Sequence, residues 1–337
     1  DPVPISFKRE QYRGSNRDYS FLVERTKDSI SLDELMTFMH FDDERAKIQL
    51  RSGQSVNYFP TQKIFIPIDK QNIIKNKVVA EKYYDSIVPV INLKINNEAL
   101  YKNRLLMLDI INQNNWKRPI YFTGGSFGDD DYLWMKDYLQ LDGLVYKLVP
   151  VKTKNSPESP LDMGQIDSEK MYSIINKWEW GNGERTDIYH DPETRKNSIS
   201  YRTNMARLMQ QLIYEEKNQE AEKIIDLALT KMPMDYYGYY TMVEPFASGY
   251  YQIGKKEKAR ELLDRLVNKY KQNLTYYAGI QPSIQNGIAT DIVTDIERYR
   301  SLLLVMKNRN DLEYYNKNKP VFNSFVQRFT RFGRDLE

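Results

Sequence analysis

The chain has no cysteine among its 337 residues. That excludes disulfides, thiolate nucleophiles and Cys-ligated zinc together, and it leaves the redox compartment open. Histidine is nearly absent as well. Only His40 and His190 occur, so a His-based catalytic triad or a poly-His metal site must be built on one of them. An excess of one charge is also missing: 49 basic and 46 acidic residues, well mixed, leave a net charge of +3. Nucleic acid and anionic membrane surfaces both select a concentrated basic face, so neither is expected as a partner. No apolar run approaches the ~20 residues that span a bilayer. The nearest, Ser301 to Met306, is flanked by charge, and no membrane insertion is predicted. The opening Asp1-Pro2-Val3-Pro4 reads like the start of an excised fragment or a processed chain, so the lack of a targeting segment excludes nothing.

What is present is a block that occurs twice. Asn218-Gln219-Glu220-Ala221 through Ile224-Ile225-Asp226 returns 38 residues later as Lys256-Glu257-Lys258-Ala259 through Leu262-Leu263-Asp264. Such self-similarity marks stacked helix pairs, each of which buries its apolar face only against a neighbour. Met205, Leu208, Met209, Leu212 and Ile213 follow the same one-sided helical spacing ahead of the block. Ala221, Ala228 and Pro233 fall at tetratricopeptide signature positions. In the second copy Tyr250, Gly254 and Ala259 fit, while Leu266 replaces the second alanine. A third pair is expected over about 284–330, with Pro320 starting or kinking its last helix.

The first half reads differently. Ser31-Leu32-Asp33-Glu34 has the pattern of a helix start. Strands are expected at 63–68, 90–95, 119–123 and 143–149, and helices over 97–113 and 130–141. The loop Asn155-Ser156-Pro157-Glu158-Ser159-Pro160 is the predicted boundary. The expected fold class is α+β: a small α/β domain over 1–155, then an all-α, tetratricopeptide-like domain over 161–337.

Candidate sites are few. Thr123-Gly124-Gly125-Ser126-Phe127-Gly128 lies between a strand and a helix, where a phosphate loop would sit. Only two of its glycines fit the dinucleotide spacing, and Asp129, Asp130 and Asp131 would repel a phosphate at the helix start. The same three carboxylates are secondary candidates for a divalent cation, although no further ligands are evident. Asp187, His190, Asp191 and Glu193 form a polar cluster read as a surface loop, and His40 is read as a cation at a helix end. Tyrosine is abundant, with 26 copies. Tyr236, Tyr237, Tyr240, Tyr250 and Tyr251 cluster near the repeats and are the candidate ligand-binding residues, offering flat faces and polar tips to a peptide or a glycan. Core packing between helices is the competing role for them. Trp178 and Trp180 are read as an anchor at the domain junction.

Three stretches carry a family resemblance: Asn115 through Thr123, Tyr138 through Pro150, and the Trp178-Glu179-Trp180-Gly181-Asn182 turn. Together they resemble the soluble C-terminal region of bacterial multi-pass membrane proteins. The membrane domain of those proteins is related to protein O-mannosyltransferases and to transmembrane protein 260. The resemblance covers most of residues 60–270. It implies an extracytoplasmic domain, periplasmic in a Gram-negative cell, tethered behind membrane helices. It also implies a parent activity of moving sugars from a lipid-linked donor to secreted acceptors. That chemistry belongs to the membrane domain, so no catalytic residue and no cofactor is carried over. The leading expectation is a non-catalytic module that binds acceptor polypeptide or a partner protein. A catalytic or metal-assisting domain centred on Gly124 to Asp131, or a scaffold packed against its own membrane domain, are the alternatives.

Overall fold

The computed structural model describes residues 2–13, 18–41, 43–96, 98–123, 131–153 and 163–332. The fold is α+β, with small mixed sheets in the N-terminal half and a helical C-terminal half. Contacts divide the chain into two compact units, Asp1–Asp167 and Ser168–Glu337. The predicted boundary loop at 155–160 lies outside the described residues.

The first unit contains α1 (Arg9–Tyr12), β1 (Tyr19–Leu22), β2 (Ile30–Ser31), α2 (Leu32–Met39), β3 (Lys47–Gln49), β4 (Ser55–Phe59) and β5 (Lys63–Pro67). It continues with α3 (Lys70–Lys75), β6 (Val90–Lys94), β7 (Ala99–Tyr101), α4 (Lys102–Asn114), β8 (Tyr121–Thr123), β9 (Leu139–Asp142) and β10 (Val145–Leu148). These strands form three small sheets, ordered β3-β4-β1-β7, β8-β10-β9 and β2-β5-β6. Among the described strands, β1–β4 and β2–β5 pair in parallel and the other pairs are antiparallel.

Local chemistry explains several elements. Helix α2 starts where the Ser31 hydroxyl accepts from the Glu34 N–H at 3.1 Å while the Glu34 carboxylate accepts from the Ser31 N–H at 2.7 Å, a capping box. Its Leu32, Leu35, Met36 and Met39 are buried and face β4, β5 and α4. Strands β5 and β6 alternate, and the register opposes buried Ile64 to Leu93 and Ile66 to Ile91. The helix expected over 130–141 is instead a 3-10 helix, Asp131–Tyr138, followed by β9. Alternation in Leu139-Gln140-Leu141-Asp142 and a tight turn at Gly143, with φ of 72°, make β9 and β10 a hairpin, which takes the last residues from the helix.

The second unit runs α5 (Ser168–Ile175), α6 (Pro192–Tyr214), α7 (Asn218–Lys231), α8 (Met234–Tyr237), α9 (Glu244–Gln252), α10 (Lys256–Gly279), α11 (Pro282–Gly287), α12 (Ala289–Asn308) and α13 (Leu312–Arg328). Helices α6 and α7, α9 and α10, and α12 and α13 pack as successive hairpins. All three turns have one construction. In the first, the N–H of Lys217 donates to Leu212 O at 2.8 Å and that of Glu216 to Ile213 O at 3.0 Å. Lys255 and Gly254 repeat this on Tyr250 and Tyr251, and Asp311 and Asn310 repeat it on Met306 and Lys307. Each is a Schellman motif whose penultimate residue takes the left-handed conformation, with φ of 59°, 77° and 57° at Glu216, Gly254 and Asn310. Pro320 lies inside α13, which continues past it.

Between hairpins the fit is close. A Cβ at Gly249 of α9 would collide with Met209 Sδ of α6, so glycine allows that approach without displacing the buried thioether. Ala221 and Ala259 hold the equivalent small positions in α7 and α10, and both are buried.

Candidate functional site

The second unit contains a cavity of about 140 Å³ lined by residues from three parts of the chain: the 179–183 turn, the first half of α6, and the end of α7 with α8. Its construction starts with Arg202. This residue lies on the buried stripe of α6 with Ser198, Met205 and Met209, and it is fully enclosed. It donates to the carbonyl oxygens of Gly238 at 2.6 Å and Met232 at 2.8 Å. Burial pushes the Arg202 guanidinium down to about 10, because its partners are carbonyl dipoles and not a carboxylate. Those bonds fold the chain after α7 into a double turn, with Gly238 and Tyr239 at φ of 71° and 49°.

Tyr237 is thereby placed inside, where its hydroxyl donates to Gly183 O at 2.9 Å. A Cβ at Gly183 would sit 3.0 Å from Lys231 O and 3.2 Å from the Tyr237 hydroxyl, so glycine lets the turn approach this closely without displacing them. Burial raises the Tyr237 phenol, so it stays a neutral donor. On the open side Trp178, Trp180 and Tyr201 form a ring cluster with centroids 5.0 to 5.7 Å apart. Glu179, Thr194 and Asn197 stand exposed at the rim, Trp180 and Tyr201 are half-buried, and Ser198, Met232 and Tyr237 are buried beneath. The Ser198 hydroxyl is buried and lacks a hydrogen-bond partner, which is uncommon inside a protein.

The five tyrosines singled out from sequence separate into different roles. Tyr236 is half-buried and ties the loop before α6, donating to Ile188 O at 2.6 Å and accepting from the His190 N–H at 2.9 Å. Tyr237 is buried in the cavity wall. Tyr240 is half-buried, with Lys269 Nζ 5.3 Å from its ring centroid. Tyr250 is buried and donates to Asp226 Oδ1 at 2.5 Å. Tyr251 donates to Asp311 Oδ2 at 2.7 Å. The last two join neighbouring hairpins. Trp178 and Trp180 pack on Tyr201 of α6.

The polar cluster 187–193 is divided among separate partners. Asp187 pairs with Arg185 at 2.5 Å, Asp191 caps α6, and Glu193 lies 3.7 Å from Lys196. Among the described residues, no group of three or more His, Asp and Glu side chains could hold a metal ion. Gly124 to Asp130 lie outside the described residues; Asp131 opens the 3-10 helix, but its side chain is also outside them. In the first unit the Ser6 hydroxyl donates to Asp109 Oδ1 at 2.6 Å and meets His40 Nε2 at 2.8 Å. Serine therefore bridges histidine and aspartate, whereas a nucleophilic triad requires the imidazole in the middle. The contact fastens the N-terminal segment to α2 and α4.

Sequence reasoning named Trp180 and Tyr237 but not Ser198, Tyr201 or Arg202. The available signal was a serine and an arginine at i and i+4 on the apolar stripe of α6, ahead of Met205 and Met209.

No helix among the described residues is long and apolar enough to cross a membrane. No curated protein and no solved structure matches the chain. The family model described as TMEM260-associated domain 2 matches residues 1–170, which ends before the cavity. That match spans half of the 337 residues, and the chain belongs to the TMEM260-associated domain 2 family.

Proposed function

We propose that this chain is a non-catalytic, extracytoplasmic module of a TMEM260-like membrane protein. It binds acceptor polypeptide or a partner protein through tetratricopeptide-like hairpins and places it before the membrane domain. The observation that carries the reading is the run of three helical hairpins closed by one type of turn. Stacked pairs of this kind offer an extended side-chain surface on a rigid frame, which suits recognition. The family match supports the tie to a TMEM260-like protein.

The test is photo-crosslinking in living cells from Tyr239, which is 39% exposed beside the half-buried Tyr240. Identification of secreted polypeptides by mass spectrometry supports the reading. Capture of the membrane domain alone reduces the module to a scaffold, and no capture at all overturns it.

A further inference from the structure

We propose that the junction between the second and third hairpins is a proton-controlled hinge. In mild acid α12 stays closed on α10. At neutral pH its first half swings away, turning about the Arg260–Asp311 pair at the other end. The hinge belongs to this chain alone and does not depend on the recognition reading above.

Its geometry starts from the antiparallel course of α10 and α12, which pack on each other. Early in α10, Arg260 meets Asp311 at 2.5 Å, just beyond the end of α12. Late in α10, Asn273 donates to Asp295 Oδ2 at 2.9 Å, near the start of α12. The two ends of one interface are thus fastened by different chemistry.

At the first end the bonds are ionic. Asp311 takes Arg260 and, at 3.3 Å, Lys256, while Tyr314 of α13 donates to Asp264 of α10. Arg260 above all holds the Asp311 carboxyl far below its ordinary value, so this end is indifferent to protons in mild acid.

At the second end, neutral donors hold the carboxylates. Glu244, half-buried at the head of α9, accepts from the Tyr270 hydroxyl at 2.7 Å. Asp295, also half-buried, accepts from the Asn273 amide and from the Tyr277 hydroxyl. Among the described residues neither carboxylate is in an ion pair. Arg298 of α12 attracts Glu244 from farther off, Lys269 of α10 attracts Asp295, and Asp291 of α12 repels Asp295. Lys269 is not free to turn wholly to Asp295, since its ammonium also lies 5.3 Å from the Tyr240 ring centroid. The buried Tyr270 feels both Glu244 and Asp295, which places the two carboxylates in one neighbourhood. Arg328 at the end of α13 adds one exposed bond, to Ala278 O at 2.8 Å.

Burial is the largest influence on Glu244 and Asp295, and it raises both above the ordinary carboxylate value. A neutral carboxyl still accepts from a phenol or an amide, so proton uptake keeps these bonds and removes the enclosed charges. The closed junction is therefore favoured in full below the ordinary value near ~4, and loses ground as the pH rises through the raised values. Swinging the start of α12 away returns the ionised carboxylates to water and leaves the ionic end whole.

The experiment uses the full chain, whose lack of cysteine lets spin labels go to chosen positions alone. Thr275→Cys with Thr294→Cys spans the second end, and Glu257→Cys with Asn308→Cys spans the first; all four side chains are exposed. Double electron–electron resonance should show the 275–294 distance lengthening from pH 4 to pH 7 while the 257–308 distance stays fixed. Hydrogen exchange, corrected for its intrinsic pH dependence, should show protection of residues 289–300 falling roughly threefold or more over the same range.

Glu244→Gln combined with Asp295→Asn keeps an accepting oxygen at each place and removes both charges. At pH 7 that variant should hold the distance the parent chain shows at pH 4. Should it fail to fold, Asp295→Asn alone is read in its place, with a shortened distance at pH 7 as the expected result. An unchanged 275–294 distance in the parent chain, equal lengthening at both ends, or lengthening that persists in the variant would overturn the proposal.

Discussion

A carboxylate as enclosed as Asp311, whose side chain is 1% exposed, costs several kcal/mol to desolvate unless partners replace the water. Arg260 supplies a two-pronged bond at 2.8 and 2.5 Å, and Tyr251 adds its hydroxyl. Arg260 first, and then the Tyr251 and Lys256 bonds, hold Asp311 well below the usual carboxylate range. Its contribution to stability is therefore complete above the unfolded carboxylate value near ~4 and is lost as the pH falls below it. Asp311→Asn should cost about 3 kcal/mol in urea unfolding at pH 7 and flatten the acid limb of the stability profile. Glu244 has the opposite sign. Burial raises it, against the pull of the Tyr270 hydroxyl at 2.7 Å. The folded state then binds its proton more readily than the unfolded chain, and stability declines as the pH rises from the ordinary carboxylate value through the raised one. Glu244→Gln should abolish that decline, so thermal unfolding of the variant should show a larger gain at pH 7 than at pH 4. Glu216 carries backbone strain, being left-handed at φ of 59° where Gly254 and Asn310 hold the same place in the later turns. Relief of about 1–2 kcal/mol of strain, less the entropy cost of a glycine, should make Glu216→Gly stabilising by roughly 0.5–1 kcal/mol. Gly254→Ala should lose about 1 kcal/mol, although nothing lies within 4 Å of its Cβ position.

Helices meet where side chains are small. Gly249→Ala in α9 would drive a methyl group into Met209 and towards Ile225, at 2.2 and 3.2 Å, in a region where both residues are fully buried. The expected cost is about 1–3 kcal/mol, measured by denaturant unfolding. How far such elements can be read from sequence depends on the range of their causes. The start of α2 was legible because Ser31 and Glu34 cap each other three residues apart. The equivalence of α7 and α10 as successive copies was legible because Ala221, Ile224 and Ile225 recur as Ala259, Leu262 and Leu263. Strand β9 was not, because Leu139 to Asp142 become a strand only when β10 folds back over Gly143. The tyrosines were not separable either. An amphipathic ring suits a groove and a core equally, and the groups that decide, Asp226 for Tyr250 and Asp311 for Tyr251, lie 24 and 60 residues away. The cavity was hidden for the same reason: Trp180, Ser198 and Tyr237 are separated in sequence, and Arg202 brings the last of them into place through main-chain carbonyls.

On the scale of the whole molecule, each of the two units has its own buried core. A fragment of residues 168–337 should fold alone, with the far-ultraviolet dichroism of a helical protein and a single cooperative unfolding step; gradual, non-cooperative melting would contradict this. The reason for one step lies in α10. Its Lys258 reaches back to Glu222 at 2.9 Å and Asp226 at 2.9 Å on α7, and its Arg260 reaches forward to Asp311 at the head of α13. The middle hairpin thus holds both of its neighbours from a single turn of helix. A linear stack of repeats ordinarily frays from its free end, one pair at a time. Here the last hairpin cannot peel away without breaking the bond between the buried Asp311 and the half-buried Arg260, so the array has no cheap way to come apart by halves.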